Sequence, residues 1–324
     1  MSDAKLNSAK RVIVFGATGT AGRGAVRALI TRGHDVTCVV RATADLPDGA
    51  TQILADVAAP LEGLRDAFAA QHFDVVVSCL ASRTGSPKDA WAIDHDAHLT
   101  ILELAKQVGA AQFILLSAIC VQKPDLPFQH AKLAFEKTLI ASGLMYSIVR
   151  PTAFFKSLSG QIERVRQGRP FLVFGDGMQT ACKPISDDDL GRFIAGCIDD
   201  PAQHNRVLPI GGPGPAITPM DQADALFKML GQPKKVRRVP VAMMSVIYQT
   251  LRVVGWVFPK AAKKAELARI GRYYGTESML VLNPETGRYD ADATPSFGSE
   301  TLFDHYRKII ADDTVVKRTD HSVF

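Results

Sequence analysis

The chain has 324 residues, of which 47% are hydrophobic and 22% are charged, as in an ordinary folded protein with a sizeable core. A length of this size suggests one large domain or two fused ones. The 38 Lys and Arg residues exceed the 33 Asp and Glu residues, so the net charge is +5. This mild excess suits an anionic small molecule and does not indicate nucleic acid. The composition excludes a disordered chain, a coiled coil and a collagen-like fibre.

The cysteines argue against a disulfide framework and against a metal site. Their number is odd and no C-x-x-C pair occurs among Cys38, Cys79, Cys120, Cys182 and Cys197. We therefore expect buried thiols in a reducing compartment, with no zinc or iron–sulfur site. The N-terminal ten residues are polar and lead directly into a strand pattern. We expect no signal peptide or N-terminal anchor, and a cytoplasmic protein.

The first 150 residues alternate between strand and helix patterns. Short apolar runs rich in β-branched residues occur at 12–15, 36–40, 52–55, 75–79, 113–117 and 146–149. Such runs are typical of parallel strands that are covered on both faces. Helical periodicity fills the intervals 22–32 and 99–108. The pattern predicts an α/β fold with a doubly wound parallel sheet of the Rossmann type, forming an NADP-binding domain over residues 1–155.

After Arg150 the regular alternation loosens, and we expect a smaller, mixed substrate-binding region over residues 156–324. One strand near 207–210 is expected to return to the sheet. The apolar helical segment 241–258 contains Gln249 and Arg252, so it is too short and too interrupted to span a bilayer. We interpret it as a helix packed on the core, and keep as an alternative a lid or a membrane-surface helix with basic flanks.

A glycine pattern follows the first strand directly. Gly16, Gly19 and Gly22 are spaced G-x-x-G-x-x-G at the start of a predicted helix. Glycines at this position allow a tight turn and a close backbone approach to a pyrophosphate, whose charge meets the helix N-terminus. We therefore assign cofactor binding to the loop residues Gly16, Thr18, Gly19, Thr20, Ala21 and Gly22.

The end of the second predicted strand favours NADPH over NADH. NAD enzymes usually place Asp or Glu there for the ribose 2′-hydroxyl, whereas this chain has Arg41 and no acid before Asp45. A guanidinium pairs with a 2′-phosphate, and Arg23 could assist it. From topology alone, adenine and ribose contacts are expected at the positions that follow the third and fourth strands, namely Asp56, Cys79, Leu80 and Ala81.

Ser117 at the end of the fifth strand and Lys132 in the next helix, together with the glycines, resemble the short-chain dehydrogenase/reductase superfamily. That resemblance implies that Lys132 holds the nicotinamide ribose. The superfamily usually carries Tyr-x-x-x-Lys, with the tyrosine as general acid, but here Phe128 stands at the tyrosine position. Phenylalanine has no proton to donate. The site therefore fits either an NADPH sensor without catalysis or a reductase of a conjugated carbon–carbon double bond.

Longer segments carry a narrower resemblance. LSAICVQKP at 116–124, the FQ-x-AK pattern at 128–132, SIVRPTAFFKSL at 147–158, and FGDG and ACKPIS at 174–177 and 181–186 are similar to the NADPH-dependent 8-vinyl reductases of chlorophyll and bacteriochlorophyll synthesis. CLASRTG at 79–85 and the tail DHSVF at 320–324 are similar to that family too. The resemblance covers nearly the whole chain, and the family pattern itself includes Phe128. It implies reduction of the 8-vinyl group of a divinyl chlorophyllide or protochlorophyllide to ethyl, without ferredoxin. Because the pigment is membrane-bound, a peripheral association with the photosynthetic membrane stays open as an alternative to a purely cytoplasmic protein.

Positions around the sixth strand complete the predicted site. We expect Pro151, Thr152 and Phe154 to line the nicotinamide, and Phe128 or Phe155 to lie against the flat macrocycle. Lys156 and Lys183 are candidate partners for the substrate propionate. The proton donor is Lys132 or, as second choice, Ser117.

Other features receive a structural interpretation. The segment 94–98, with His95 and His98, is interpreted as a helix start with solvated side chains, and Asp187, Asp188 and Asp189 as the first turn of a helix. The absence of a G-x-S-x-G elbow argues against a hydrolase. Two alternatives stay open, namely a non-catalytic NADP-binding regulator or assembly subunit, and a reductase of another conjugated substrate such as a phenolic compound.

Overall fold

The structure is a computed structural model that describes residues 8–59, 61–254 and 258–312. The strands of these residues are β1 (Arg11–Phe15), β2 (Asp35–Val40), β3 (Thr51–Leu54), β4 (Val75–Ser78), β5 (Gln112–Leu116), β6 (Met145–Pro151), β7 (Phe171–Phe174), β8 (Arg206–Ile210), β9 (Val236–Val239), β10 (Val281–Leu282) and β11 (Tyr289–Asp290). The helices are α1 (Thr20–Thr31), α2 (Leu61–Ala67), α3 (Pro87–Ala90), α4 (Ala97–Gln107), α5 (Pro127–Ile140), α6 (Phe155–Leu158), α7 (Ile162–Arg166), α8 (Asp187–Gly196), α9 (Pro219–Met229), α10 (Val241–Val254), α11 (Pro259–Thr276) and α12 (Leu302–Ala311). A π-helical turn, Trp91–Asp96, connects α3 to α4. The tail DHSVF lies outside the described residues.

Seven strands form one parallel sheet in the order β3-β2-β1-β4-β5-β6-β8. The predicted doubly wound parallel sheet is thus confirmed. The strand order reverses between β1 and β4. In open sheets of this kind, ligands bind in the crevice outside the carboxyl ends of the strands at such a reversal. The glycine loop follows β1, and Cys79 follows β4, so both lie at this crevice.

The sheet is covered on both faces, which explains its nearly continuous apolar strands. Val12 and Val14 of β1 belong to one core cluster together with side chains of α1 and α8. Ile13 and Phe15, which alternate with them, belong to a second cluster together with side chains of α4 and α5. Because successive side chains of a strand point to opposite faces, one strand contributes to both layers of the core.

The residues after α6 both complete the sheet and build a third core cluster. β8 pairs in parallel with β6 at the edge of the sheet, and α8 packs on α1. β7 and β9 form a separate parallel pair. The third cluster joins α9, α11 and α12 to Ile119 and Leu126 of the segment that follows β5. This cluster therefore faces the carboxyl edge of the sheet, and the boundary between the two predicted domains remains a prediction.

The apolar segment 241–258 does not pack into the core, so the first interpretation of it is wrong. No residue of α10 is buried, and the helix packs on α11. Most of the surface of α10 is exposed, including Met243, Val246 and Val253. Phe258, which follows the helix, is exposed as well. Positions 255–257 of the segment lie outside the described residues. Among the described helices none is both long and apolar enough to cross a membrane.

Candidate active site

The glycine loop has the shape of a dinucleotide cradle. Gly16 has φ +77°, and a Cβ on it would lie 2.7 Å from the backbone of Cys79. A Cβ on Gly22 would lie 2.1 Å from the carbonyl oxygen of Gly16. The N-cap of α1 is Gly19, which has no side chain to accept from the first-turn amides. Those N–H groups are therefore available to phosphate oxygens, and the residues present fit a dinucleotide.

Basic side chains surround the ends of this cradle. Arg41 follows β2 directly and is exposed. Arg23 makes an ion pair with Asp45 at 3.4 Å, so the first acid after β2 already has a cationic partner. Asp56 lies exposed after β3, where its carboxylate accepts from the amide of Ala58 at 3.0 Å. The carboxyl end of β2 consequently presents the guanidinium of Arg41, and the first carboxylate after it, that of Asp45, is paired with Arg23.

A cavity of about 370 Å³ opens at the carboxyl edge of the sheet. Many of the predicted site residues line it, namely Cys79, Leu80, Ala81, Ser117, Phe128, Lys132, Pro151, Thr152 and Phe154. Its opposite wall comes from the C-terminal region, including Phe171, Phe174, Ile270 and Tyr274. The structure thus brings the strand ends of the nucleotide-binding half to an apolar wall that can face a large flat molecule.

Lys132 lies in this cavity and is held by a buried carboxylate. Its Nζ lies 3.0 Å from Oδ1 of Asp94, and the two side chains are 9% and 0% exposed. The same oxygen accepts from the backbone amide of Ser82 at 3.3 Å. Oδ2 of Asp94 is buried and has no hydrogen-bond partner among the described residues. A ribose hydroxyl at Lys132 would find a further acceptor there, which is a second observation in favour of a nucleotide fit.

The interpretation of 94–98 as a start of a helix with solvated side chains is wrong. Asp94 lies in the π-helical turn and is buried, and so is His98. The His98 ring lies 3.0 Å from Oγ of Ser78 and 2.9 Å from the carbonyl oxygen of Ile93. Burial lowers the pKa of the His98 imidazole to about 4, so the ring is neutral at pH 7. The extra residue of the π-helical turn places Asp94 inward, toward α5, which periodicity alone does not predict.

Ser117 is also committed to a buried partner. Its hydroxyl donates to Oε1 of Glu136 at 2.5 Å, and Glu136 makes an ion pair with Arg150. Both proton donors predicted from the sequence therefore have a carboxylate beside them. Because both side chains lie at the cavity, they can bind and orient a ligand there. The proton of each is already shared with an acceptor.

Three other predicted positions lie elsewhere than expected. Phe155 is 2% exposed and packs in the third core cluster, with its ring 5.3 Å from that of His305, rather than on the cavity wall. Nζ of Lys156 donates to Oγ1 of Thr20 at 3.2 Å, which places this cation at the phosphate end of the site. Nζ of Lys183 donates to the carbonyl oxygen of Thr294 at 3.0 Å, and Lys183 does not line the cavity.

Thr152 and the acidic run of α8 have structural partners. The Thr152 hydroxyl donates to the carbonyl oxygen of Lys183, which joins β6 to the segment before α8. The run at 187–189 forms the first turn of α8, as predicted, with Ser186 as N-cap. Asp187 lies near Lys156, but burial dominates and raises the pKa of Asp187 to about 6.

Sequence reasoning missed several side chains of the cavity, among them Asp94 and Tyr274. Tyr273 and Tyr274 occupy adjacent positions of α11, and their rings meet edge to face with centroids 5.6 Å apart. Oη of Tyr273 lies 2.9 Å from the carbonyl oxygens of both Cys120 and Lys123, which ties α11 to the loop after β5. Tyr274 lines the cavity, with Oη 4.0 Å from Sγ of Cys120. The signal that could have found Tyr274 is Phe128: because the usual tyrosine is missing there, a tyrosine elsewhere in the chain could supply the phenol.

Comparisons with known proteins agree with this geometry. Residues 16–201 match a family model described as NAD(P)H-binding. The chain is 46% identical over 316 residues to the divinyl chlorophyllide a 8-vinyl-reductase of Oryza sativa subsp. indica, covering 92% of this chain and 78% of that protein. It is 47% identical over 319 residues to the Arabidopsis thaliana protein of the same name, covering 92% and 76%.

Weaker similarities reach other proteins of the same fold. The photosystem II assembly factor Ycf39 of Cyanophora paradoxa is 29% identical over 254 residues, which is 76% of each chain. The solved structure of the NADPH-dependent quinone oxidoreductase QOR2 of Escherichia coli, in complex with NADPH, has a TM-score of 0.66 at 18% identity and covers 92% of this chain and 99% of that one. At that identity the likeness shows the fold alone.

Proposed function

This chain belongs to the divinyl chlorophyllide a 8-vinyl-reductase family, and we propose that it reduces the 8-vinyl group of a 3,8-divinyl chlorophyllide or protochlorophyllide to ethyl. The cavity supports this proposal best. It joins the nucleotide edge of the sheet to an apolar wall, and it carries Phe128 where a ketone reductase would need a tyrosine. A vinyl group conjugated to a macrocycle needs no acid at a carbonyl oxygen, because the macrocycle delocalises the charge.

The chain's own residues bind and orient the two reactants. The backbone of the glycine loop and the cation of Lys156 hold the phosphates, and Lys132, fixed by Asp94, holds the nicotinamide ribose. When bound, the nicotinamide cofactor supplies the hydride. Pro151, Thr152 and Phe154 limit one side of the cavity, and Phe128 offers a flat apolar surface to the macrocycle. Holding the vinyl group at reacting distance supplies much of the rate.

We propose NADPH as the cofactor. Arg41 stands at the carboxyl end of β2, and Asp45 is paired with Arg23, so a 2′-phosphate would meet positive charge there. A carboxylate at this position would instead repel it.

The deciding experiment mixes purified protein, divinyl chlorophyllide and NADPH, with no ferredoxin, and follows the pigment by absorbance and chromatography. We expect conversion to the monovinyl pigment with NADPH and much slower conversion with NADH. Tight NADPH binding without any conversion would refute the proposal and favour a non-catalytic NADP-binding subunit. Conversion of another conjugated substrate alone would favour the remaining alternative.

We also propose that α10 rests on an anionic membrane surface. Between Asp224 and Glu266 the sequence carries nine Lys and Arg residues and no acid. Within this segment α10 exposes Met243, Val246 and Val253. An apolar helix face with basic surroundings is typical of helices that lie in the headgroup region of anionic lipids. The neighbouring helix α11 lines the cavity, so this contact would bring the substrate site close to a lipid-bound pigment.

Vesicle flotation tests this contact. The wild type is expected to float with vesicles that contain anionic lipid and to remain in solution with neutral ones. A Val246→Asp/Val253→Asp variant should lose flotation. The control Leu54→Asp/Ile140→Asp, which places the same two charges on exposed apolar residues of β3 and α5, should retain it. Equal flotation of both variants would refute the role of α10.

A further inference from the structure

The cavity contains a phenol that no structural bond requires. Tyr274 projects from α11 into the cavity lining, and 38% of its side chain is exposed. Its neighbour Tyr273 is buried and donates to two backbone carbonyl oxygens, so Tyr273 is the tyrosine that attaches this turn of α11 to the rest of the fold. Among the described residues, the polar contact of Tyr274 Oη is a weak one, at 4.0 Å from Sγ of Cys120. The hydroxyl is thus placed at the cavity without being consumed by the fold.

The other acidic groups of the cavity lining are engaged or poorly placed. Lys132 is paired with Asp94, and the Ser117 hydroxyl donates to Glu136. Glu277 accepts from Lys123 at 2.8 Å and from the hydroxyl of Tyr289 at 2.7 Å. The aliphatic hydroxyls of the lining, such as that of Ser157, are far weaker acids than a phenol.

The thiols of the lining do not compete well with the phenol. Cys182 is buried and its Sγ donates to the carbonyl oxygen of Ile217 at 3.9 Å, and Cys79 directly follows β4 at the nucleotide edge of the cavity. Cys120 is 2% exposed, and its Sγ lies 4.0 Å from Oη of Tyr274. Partial burial raises the pKa of the Tyr274 hydroxyl well above its usual value, so the phenol carries its proton at neutral pH.

We propose that Tyr274 is the proton donor of the vinyl reduction, an inference that rests on the proposed function. Tyr274 belongs to α11 of the C-terminal region, whereas Lys132 and Pro151 belong to α5 and β6 of the nucleotide-binding half, and all three line the same cavity. A substrate held in this cavity would receive hydride from the cofactor and a proton from the phenol of Tyr274.

The step balances in atoms and electrons. The hydride forms a C–H bond with the terminal vinyl carbon, the C=C π bond breaks, and its electron pair passes to the inner carbon and the conjugated ring. Tyr274 Oη–H then breaks, and its proton forms a C–H bond with the inner carbon, which leaves an ethyl group. The oxidised cofactor and a tyrosinate remain, and the tyrosinate takes a proton from water that enters the cavity. The general acid thus stands on α11, as Tyr274, and not on α5, where Phe128 occupies the usual tyrosine position.

Tyr274→Phe tests the proposal, with Tyr273→Phe as the matched control that removes the same atom one residue away. General acids contribute about 10²–10⁴-fold to rate, so we expect kcat of Tyr274→Phe to fall by about 100-fold or more while the Kd for NADPH stays unchanged. The kcat of Tyr273→Phe should remain within about threefold, with any loss appearing in Tm instead. A Tyr274→Phe variant with wild-type kcat would overturn the proposal.

A second measurement does not depend on the folding of a variant. Fluorotyrosine at position 274 lowers the pKa of this one phenol without changing its size appreciably. The alkaline limb of the kcat–pH profile should move to lower pH, and an unmoved limb would overturn the proposal. Wild-type protein that fails to reduce divinyl chlorophyllide at all would refute the proposed function instead, so that the two failures are distinguishable.

Discussion

The buried pair of Lys132 and Asp94 offers the sharpest test of how the site is held together. Asp94→Asn removes the charge but keeps an oxygen that can accept from the amide of Ser82. The Nζ–Oδ1 distance is 3.0 Å and the side chains are 9% and 0% exposed, so the variant leaves a cation buried without its counter-charge. Removing one partner of a buried pair costs about 3–5 kcal/mol, and the retained amide bond places the expected loss near about 3 kcal/mol.

That loss is large enough to measure by thermal unfolding. At roughly 2 °C per kcal/mol for a chain of this size, Tm should fall by about 6 °C. The Kd for NADPH should rise by about tenfold, because the ammonium loses the partner that orients it toward the ribose and a charge-assisted hydrogen bond is worth about 1.5 kcal/mol or more. Circular dichroism and a fluorescence titration measure the two effects separately.

The control is Asp96→Asn, two residues away. The Asp96 side chain is 67% exposed and pairs with His95 at the surface, so the free energy of unfolding should change by less than about 0.5 kcal/mol. Lys132→Met and the double variant complete a thermodynamic cycle. If the two single losses simply add in the double variant, Lys132 and Asp94 do not interact and the account of the site given above fails.

Three further predictions test the nucleotide half of the site. Gly22→Ala would place a Cβ 2.1 Å from the backbone oxygen of Gly16, so we expect the Kd for NADPH to rise by at least about 100-fold. The control is Gly196→Ala, which should leave this Kd unchanged because its Cβ would meet only the end of a flexible side chain at 3.5 Å. Isothermal titration of both variants decides this, and equal affinities would contradict the cradle. Arg41→Ala should lower the preference for NADPH over NADH, measured as a ratio of kcat/KM, by about tenfold or more, since one charge-assisted bond is lost; an unchanged ratio would place the 2′-phosphate elsewhere. The folded-state pKa of His98, about 4, lies below the ordinary 6.5, so the unfolded chain binds the proton more readily. The free energy of unfolding should therefore fall by up to about 3 kcal/mol as the pH decreases from 6.5 toward 4. His98→Gln should flatten the dependence of the urea midpoint on pH. Identical slopes in the two proteins would show that another group is responsible.

The parts of the site that follow directly from short stretches of sequence were predicted correctly in type. The strand runs, the glycine loop and the acidic first turn of α8 depend on side-chain periodicity, on backbone freedom and on capping, all of which act within a few residues. The parallel sheet follows from their alternation, because consecutive βαβ units have few topologies available. What α10 packs against does not follow in this way, since a buried and an exposed apolar helix share the same pattern.

By itself the sequence determined the sheet, the cradle and the substitution of Phe128 for a phenol, because each is a property of neighbouring residues. Tertiary structure alone decided which charges meet. It turned Asp94 inward through a π-helical turn onto Lys132, moved Lys156 to Thr20 across 136 residues, and set Tyr274 beside Cys120 across 154 residues. Such contacts depend on how whole helices pack against the sheet, and a buried charge accepts whichever partner that packing brings within reach. The chemistry of the cavity therefore arises where distant segments meet, while its scaffold is encoded locally.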